Sequence, residues 1–243
     1  MNKRCSPLQN HLLAALPGEV QDRLLPHLEL VALPLHKVIY ETGEAPRHVY
    51  FPVDTIVSLV HEMENGATVE IAVVGKEGFV GSTVFMGGRS FISQTVVQSA
   101  GNAYRLSKRQ FMNEFNRHGE LLDLMLRYIQ VVIIQIAQTA VCNRYHTISQ
   151  QLCRWLLFSL DRLPGNQLRM TQEQIANMLG VRREGVTDAA GKLHKLGIIK
   201  YSRGRIQVLD RPALERMSCE CYFVGKQETD RLLPPPKHDE SNS

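Results

Sequence analysis

Residues 170–209, MTQEQIANMLGVRREGVTDAAGKLHKLGIIKYSRGRIQVL, read as a helix, a tight turn, a second helix and a short β-hairpin. Thr171 is placed to cap the first helix, Gln174 to reach back to the cap's own N–H, and Ile175, Met178 and Leu179 recur at helical spacing. Gly180 ends that helix, because glycine accepts positive φ without a steric penalty, and Gly180-Val181 turns the chain into a second helix from about Arg182 to Leu196. Val186, Ala189, Ala190 and Leu193 face its partner, which leaves Arg183, Glu184, Thr187 and Asp188 outward near its N-terminal end. Gly197 closes the helix. Ile199 and Tyr201, then Ile206 and Val208, alternate with polar neighbours on either side of an Arg203-Gly204 turn. The order is that of a winged helix-turn-helix, whose second helix lies against base edges in the major groove.

Charge follows the motif. Between Arg144 and Arg211 there are twelve Lys and Arg against five Asp and Glu, while the rest of the chain holds 16 against 19. A basic segment in an otherwise slightly acidic chain suits phosphate contact. The expected DNA-contact set is Thr171, Gln172, Arg182, Arg183, Glu184, Thr187 and Asp188 from the two helices, with Arg203 and Arg205 from the wing. The plain alternative is a helical pair packed on a small sheet.

With 243 residues and 44% hydrophobic content, the chain can build two compact domains. The N-terminus lacks the apolar run of a signal peptide, and no segment approaches ~20 consecutive apolar residues, so a cytoplasmic protein with no membrane contact is expected. The five cysteines (Cys5, Cys142, Cys153, Cys219 and Cys221) are scattered and odd in number, and reduced thiols are expected.

From Leu35 to Leu106, short β-rich runs (36–40, 48–52, 55–61, 68–74 and 95–98) are separated by turn residues, after helical material around 11–28. Short, numerous strands suggest a jelly-roll barrel. A wide apolar stripe then runs from Glu120 to about Cys142, enough to cover the barrel and a second surface, read as the same helix of another subunit through Leu122, Met125, Ile129, Val132 and Ile136. Asn143–His146 breaks the stripe as a hinge, and a second amphipathic helix spans 147–163. The expected architecture is α+β: a sensor β-jelly-roll over 8–118, a dimerisation helix and hinge over 119–146, a winged helix-turn-helix domain over 147–222 and a disordered tail over 223–243. A homodimer would set two recognition helices about one DNA turn, ~34 Å, apart on a palindromic operator.

Barrel, long helix, hinge and winged helix in that order resemble the Crp/Fnr superfamily of bacterial transcription regulators. HKVIYETGE (36–44), VGKEGFVG (74–81), QLCRWLL (151–157) and GVRREGVTDAAGKLHKLGIIKYSRGRIQV (180–208) carry the likeness. The resemblance implies that Arg183 and Glu184 contact bases, in keeping with Arg donating to guanine O6 and N7 and Glu accepting from cytosine N4. It also implies an effector pocket near Gly78, Gly81 and Ser82, with Arg89-Ser90 or Gln94-Thr95 in the phosphate-binding slot, and RNA polymerase as a candidate partner.

The departures are informative. Where the cyclic-AMP branch has a further base-reading Arg, this chain has Asp188, so the operator should differ. Where that branch anchors the ribose with Glu, this chain has Phe79, and 131–139 is mostly apolar, so cyclic AMP is disfavoured and the effector is unknown. Only Cys5 lies near the N-terminus, against an iron–sulfur cluster of the oxygen-sensing kind, and scattered His48, His61 and His118 do not define a haem site.

Cys219-Glu-Cys221 could be a metal pair or a redox switch, with Cys142 and Cys153 near the hinge as further candidates, but with no second pair at finger spacing, plain thiols and no metal are expected. No catalytic motif is present, and no cofactor is expected. The reading is a homodimeric DNA-binding regulator with a sensor barrel; the alternative is a small-molecule or redox sensor acting through protein partners.

Overall fold

The computed structural model describes residues 5–87 and 93–233. At the front, α1 (His11–Ala15) begins at Asn10, whose side chain accepts from the N–H groups of Leu12 and Leu13 and donates to the carbonyls of Pro52 and Gly78. One buried amide thus caps the helix and ties it to the barrel. After α2 (Gly18–Leu24) come β1 (Glu29–Leu33), β2 (Val38–Tyr40), β3 (His48–Pro52), β4 (Ile56–Glu62), β5 (Thr68–Val74), β6 (Gln94–Ser99) and β7 (Gly101–Ser107). They form two antiparallel sheets, β1-β7-β3 and β2-β6-β4-β5. Val49, Phe51, Val57, Val97, Ala103 and Leu106 fill the space between the sheets.

The strands read at 48–52 and 68–74 are present at those bounds, and those of β2, β4 and β6 differ by a residue or two. Strands β1 and β7 lie outside the expected runs. Each has an alternation too weak to signal a strand alone, and they are held by pairing with each other, Glu29 opposite Arg105 through Leu33 opposite Gly101.

Helix α3 (Lys108–Phe115), capped by Ser107, leads to α4 (Glu120–Tyr145). It is the one described helix long and apolar enough to cross a bilayer, yet Leu121, Leu124, Met125, Tyr128 and Val131 are sealed against the barrel. The helix does not break at Asn143. Its backbone stays helical to Tyr145, His146 and Thr147 are extended, and α5 (Ile148–Arg162) follows with a reciprocal Thr147/Gln150 cap. The break between the two helices is therefore two residues long.

Then follow β8 (Gln167–Arg169), α6 (Gln172–Leu179), α7 (Arg183–Lys195), β9 (Ile199–Ser202), β10 (Arg205–Val208), α8 (Arg211–Met217) and α9 (Glu220–Leu232). The third sheet has the order β8-β10-β9. The tail expected from 223 is helical as far as Leu232: Gly225 lets α9 pack close to the Phe158 ring, and Leu232 and Leu233 join the barrel core. Residues 234–243 lie outside the described residues.

Helix α5 binds the reading domain to its own barrel through buried polar groups. The indole N–H of Trp155 donates to Glu70 on β5 (3.2 Å), the Ser58 hydroxyl donates to the same carboxyl (2.5 Å), and Arg162 pairs with Glu77 at 2.7 Å. Desolvation pushes the Glu70 carboxyl up to about 7, only partly opposed by its Ser58 bond and by the charges of Arg154 and Arg162. A carboxyl raised in the folded chain favours folding where it is protonated. Its contribution is present at low pH and is lost as pH rises from the unfolded value of 4.5 through about 7. Glu70→Gln should therefore remove a fall in thermal stability that the wild type shows over that interval, as measured by unfolding at a series of pH values; superimposable pH profiles would refute it.

Candidate nucleic-acid interface

The turn between α6 and α7 is built as glycine permits. Gly180 has φ +64°, its N–H bonds back into α6, and Val181 N–H reaches Ala176 O at 3.0 Å, so the helix ends in a tight left-handed cap. Val186, Ala189, Ala190 and Leu193 bury the inner face of α7 against Ile175, Leu179, Leu152 and Leu156. A Cβ on Gly185 would come 2.5 Å from Ile148 Cδ1, so this position brings α7 close against the start of α5. With its inner face fixed, α7 presents Arg183, Glu184, Thr187 and Asp188 to solvent, and Arg182 precedes them at the cap, also exposed.

Thr171 caps α6, with its hydroxyl accepting from Gln174 N–H. The Thr187 hydroxyl lies 2.8 Å from Gln172 Oε1 and 3.0 Å from Arg183 O, which links the outer faces of the two helices. In the wing, Arg203 (φ +49°) and Gly204 (φ +71°) are both left-handed, the pattern of a type I′ hairpin turn, and Arg203 and Arg205 are exposed.

Electrostatics separates two groups of cations that the sequence count lumped together. Arg154 and Arg162 are buried, and Arg211 is engaged by Asp161 and Glu215. By contrast Arg169, Arg182, Arg183, Lys192, Lys195, Lys200, Arg203 and Arg205 are exposed and, among the described residues, in no ion pair. Arg205 lies directly opposite Arg169 in the β8–β10 register. Like charges facing each other across strands are unfavourable in isolation and favourable beside an anion. Arg169 escaped the sequence reading because β8 did; the only signal was buried Leu168 between two exposed polar residues.

The barrel positions expected to form an effector pocket do not share one environment. Gly78 lies against the Tyr128 ring, its carbonyl taken by Asn10; Gly81 (φ +114°) sits under the Tyr40 hydroxyl; half-buried Ser82 starts a short turn of helix. Thr95 is buried in the sheet between Tyr40 and Leu59, and Gln94 donates to Glu41 at 3.0 Å. Arg89 and Ser90 lie outside the described residues. Phe79 is buried at the centre of an aromatic cluster, its ring centroid 5.0 Å from Tyr128, 5.9 Å from Phe51 and 6.0 Å from both Phe85 and Phe111.

On α4 the expected outer stripe keeps Leu122, Ile129 and Ile136 but not Met125 or Val132. Met125 is fully buried in its own barrel and Val132 packs beside that core, so neither is free for a second surface. Between residues 122 and 140 the large apolar side chains left uncovered are Leu126 (54% exposed), Ile133 (60%) and Ile136 (38%), continuous with half-buried Leu122 and Ile129. From Leu122 to Ala140 the spacing 122, 126, 129, 133, 136, 140 alternates four and three residues.

Residues 30–118 match the family described as cyclic nucleotide-binding domain, and residues 150–217 the family described as Crp-like helix-turn-helix domain. Among solved structures the chain is similar to FixK2 from Bradyrhizobium japonicum (16% identity over 79% of this chain and 98% of that one, TM-score 0.68). It is similar also to the c-di-GMP-responsive global regulator CLP of Xanthomonas campestris (16%, 79% and 99%, TM-score 0.64). A CRP/FNR-family transcriptional regulator from Thermus thermophilus gives 20% identity over 78% and 98% of the two chains, with a TM-score of 0.60. Identities this low speak for the fold alone. No curated protein matches by sequence. With both family matches in that order on one chain, the second of them over the cation-rich winged helix, the protein belongs to the Crp/Fnr family of DNA-binding transcription regulators.

Proposed function

We propose that the chain regulates transcription in the bacterial cytoplasm as a homodimer that reads a two-fold operator. The observation that carries this reading is the outward face of α7: Arg183 and Glu184 at its first turn, exposed, with a flanking wing of unpaired cations. Arg183 supplies a forked donor for guanine, Glu184 an acceptor for cytosine N4, and Arg169, Arg203 and Arg205 neutralise phosphates without reading sequence. Asp188 follows Glu184 by one turn and disfavours a guanine at the base it faces.

Dimerisation is supported by the alternating four-and-three seam on α4, the pattern that keeps two helices in contact along a left-handed supercoil. Each of Leu126, Ile133 and Ile136 would contribute about 1.5–3 kcal/mol on full burial. We assign no cyclic nucleotide to the barrel, because Phe79 puts an apolar ring where the ribose would need an acceptor. A signal of another kind would act by shifting the reading domains about His146-Thr147.

Arg183→Ala should weaken binding to the selected operator by roughly 1–3 kcal/mol and relax base preference, whereas Arg205→Ala should chiefly lower the salt dependence on any DNA. Binding isotherms on operator and random duplex at several salt concentrations check this, and equal losses on both duplexes for Arg183→Ala would count against base reading. Ile133→Asp should convert a sedimenting dimer to a monomer with an unchanged far-UV spectrum and abolish operator binding at concentrations that saturate the wild type. A variant that remained dimeric would rule out the α4 seam.

A further inference from the structure

The end of α4 and the start of α9 bring together four side chains that DNA reading does not use. Cys142 and His146 stand one helical turn apart on one face of the α4 terminus, Cys219 is the N-cap of α9, and Cys221 lies in its first turn. Their ligand atoms all fall within 4.8 Å of one another. Cys142 Sγ and Cys219 Sγ are 3.6 Å apart, well beyond the ~2.05 Å of a disulfide, and Cys221 Sγ is 3.6 Å from His146 Nδ1. A tetrahedral ion with bonds of ~2.3 Å to sulfur and ~2.0 Å to nitrogen has S···S edges of about 3.8 Å and S···N edges of about 3.6 Å. The Cys142–Cys219 and Cys221–His146 edges match those values, and no pair of the four atoms is more than 4.8 Å apart, so a small inward movement completes the shell.

We propose that Cys142, His146, Cys219 and Cys221 bind a single zinc ion that fastens α9 to the end of α4. Three thiolates and one imidazole form a donor set characteristic of structural zinc, and the short separations leave room for one metal ion rather than a multi-iron cluster. The other imidazole nitrogen, Nε2, lies 3.2 Å from the exposed Glu220 carboxylate. That contact fixes the tautomer with Nδ1 facing the sulfurs, the usual outer partner of a metal-bound histidine. Binding releases three thiol protons to solvent and changes no oxidation state, and the shell with its ion carries one net negative charge. The buried guanidinium of Arg154 acts through space on Cys142 and Cys221, and its Nε has no hydrogen-bond partner among the described residues, so a balancing cation is in place.

The test uses the full chain, purified under reducing conditions without chelator. Elemental analysis should find one zinc per chain, and Co(II) added to chelator-stripped protein should give the intense visible bands and sulfur-to-metal charge transfer of a tetrahedral thiolate site. Cys221→Ser should lose both. Because that variant removes a buried group, Glu220→Gln provides a second arm: chelator competition should show zinc affinity reduced by about 10–100-fold, with the metal-free form as stable as the metal-free wild type. Metal-free protein as isolated with no cobalt bands would overturn the site. So would an intact mass showing a Cys142–Cys219 disulfide, and iron at the same stoichiometry would overturn the choice of ion.

Discussion

Packing of one face of α4 onto the aromatic cluster of the barrel is the contact on which the remaining architecture depends. Tyr128 closes against Phe79, and Leu121, Leu124, Met125 and Val131 complete the seal. Once that face is fixed, the rotation of the helix about its axis is fixed too, and with it everything mounted on the other sides. Leu126, Ile133 and Ile136 are left outward, and Cys142 and His146 are aimed at α9. The same cluster fills the middle of the barrel with packed rings, Phe79 touching Phe51, Phe85, Phe111 and Tyr128.

The junction between barrel and reading domain is made differently. It relies on Glu70, Glu77, Trp155 and Arg162, polar groups taken out of water and matched to one another. Such a junction is specific in geometry and modest in net energy, because desolvation offsets much of the attraction. An apolar junction of similar area would hold the domain harder.

What could be read from the sequence was whatever local physics decides. The α6–Gly180–α7 turn, the Thr171 cap and the Arg203-Gly204 hairpin depend on residues within a few positions of each other, and all appear as read. The split of the α4 stripe was not legible, because a helix apolar over most of its circumference gives no sign of which side its own barrel takes; Met125 and Val132 went inward while Leu126 and Ile133 stayed out. Strands β1, β7 and β8 are held by partners far along the chain. The cysteine cluster escaped for the same reason: its halves are 77 residues apart, His146 reads locally as part of a hinge, and Cys153 belongs to the reading-domain core rather than to the cluster.

The separation of 3.6 Å between Cys142 and Cys219 sulfurs has a mechanical meaning. The chain leaves α4 for the reading domain at His146-Thr147 and comes back to α4 at Ser218-Cys219, so outgoing and returning strands of the polypeptide cross at a single spot. A body tethered to its base at one point can swivel without lengthening or shortening either tether, much as a ball joint does. A change in the bearing of the winged helix would therefore have to break the contacts α5 and α6 make with the barrel and those Asp161, Phe158 and Arg211 make with Tyr222 on α9, while the path of the backbone would impose no penalty of its own.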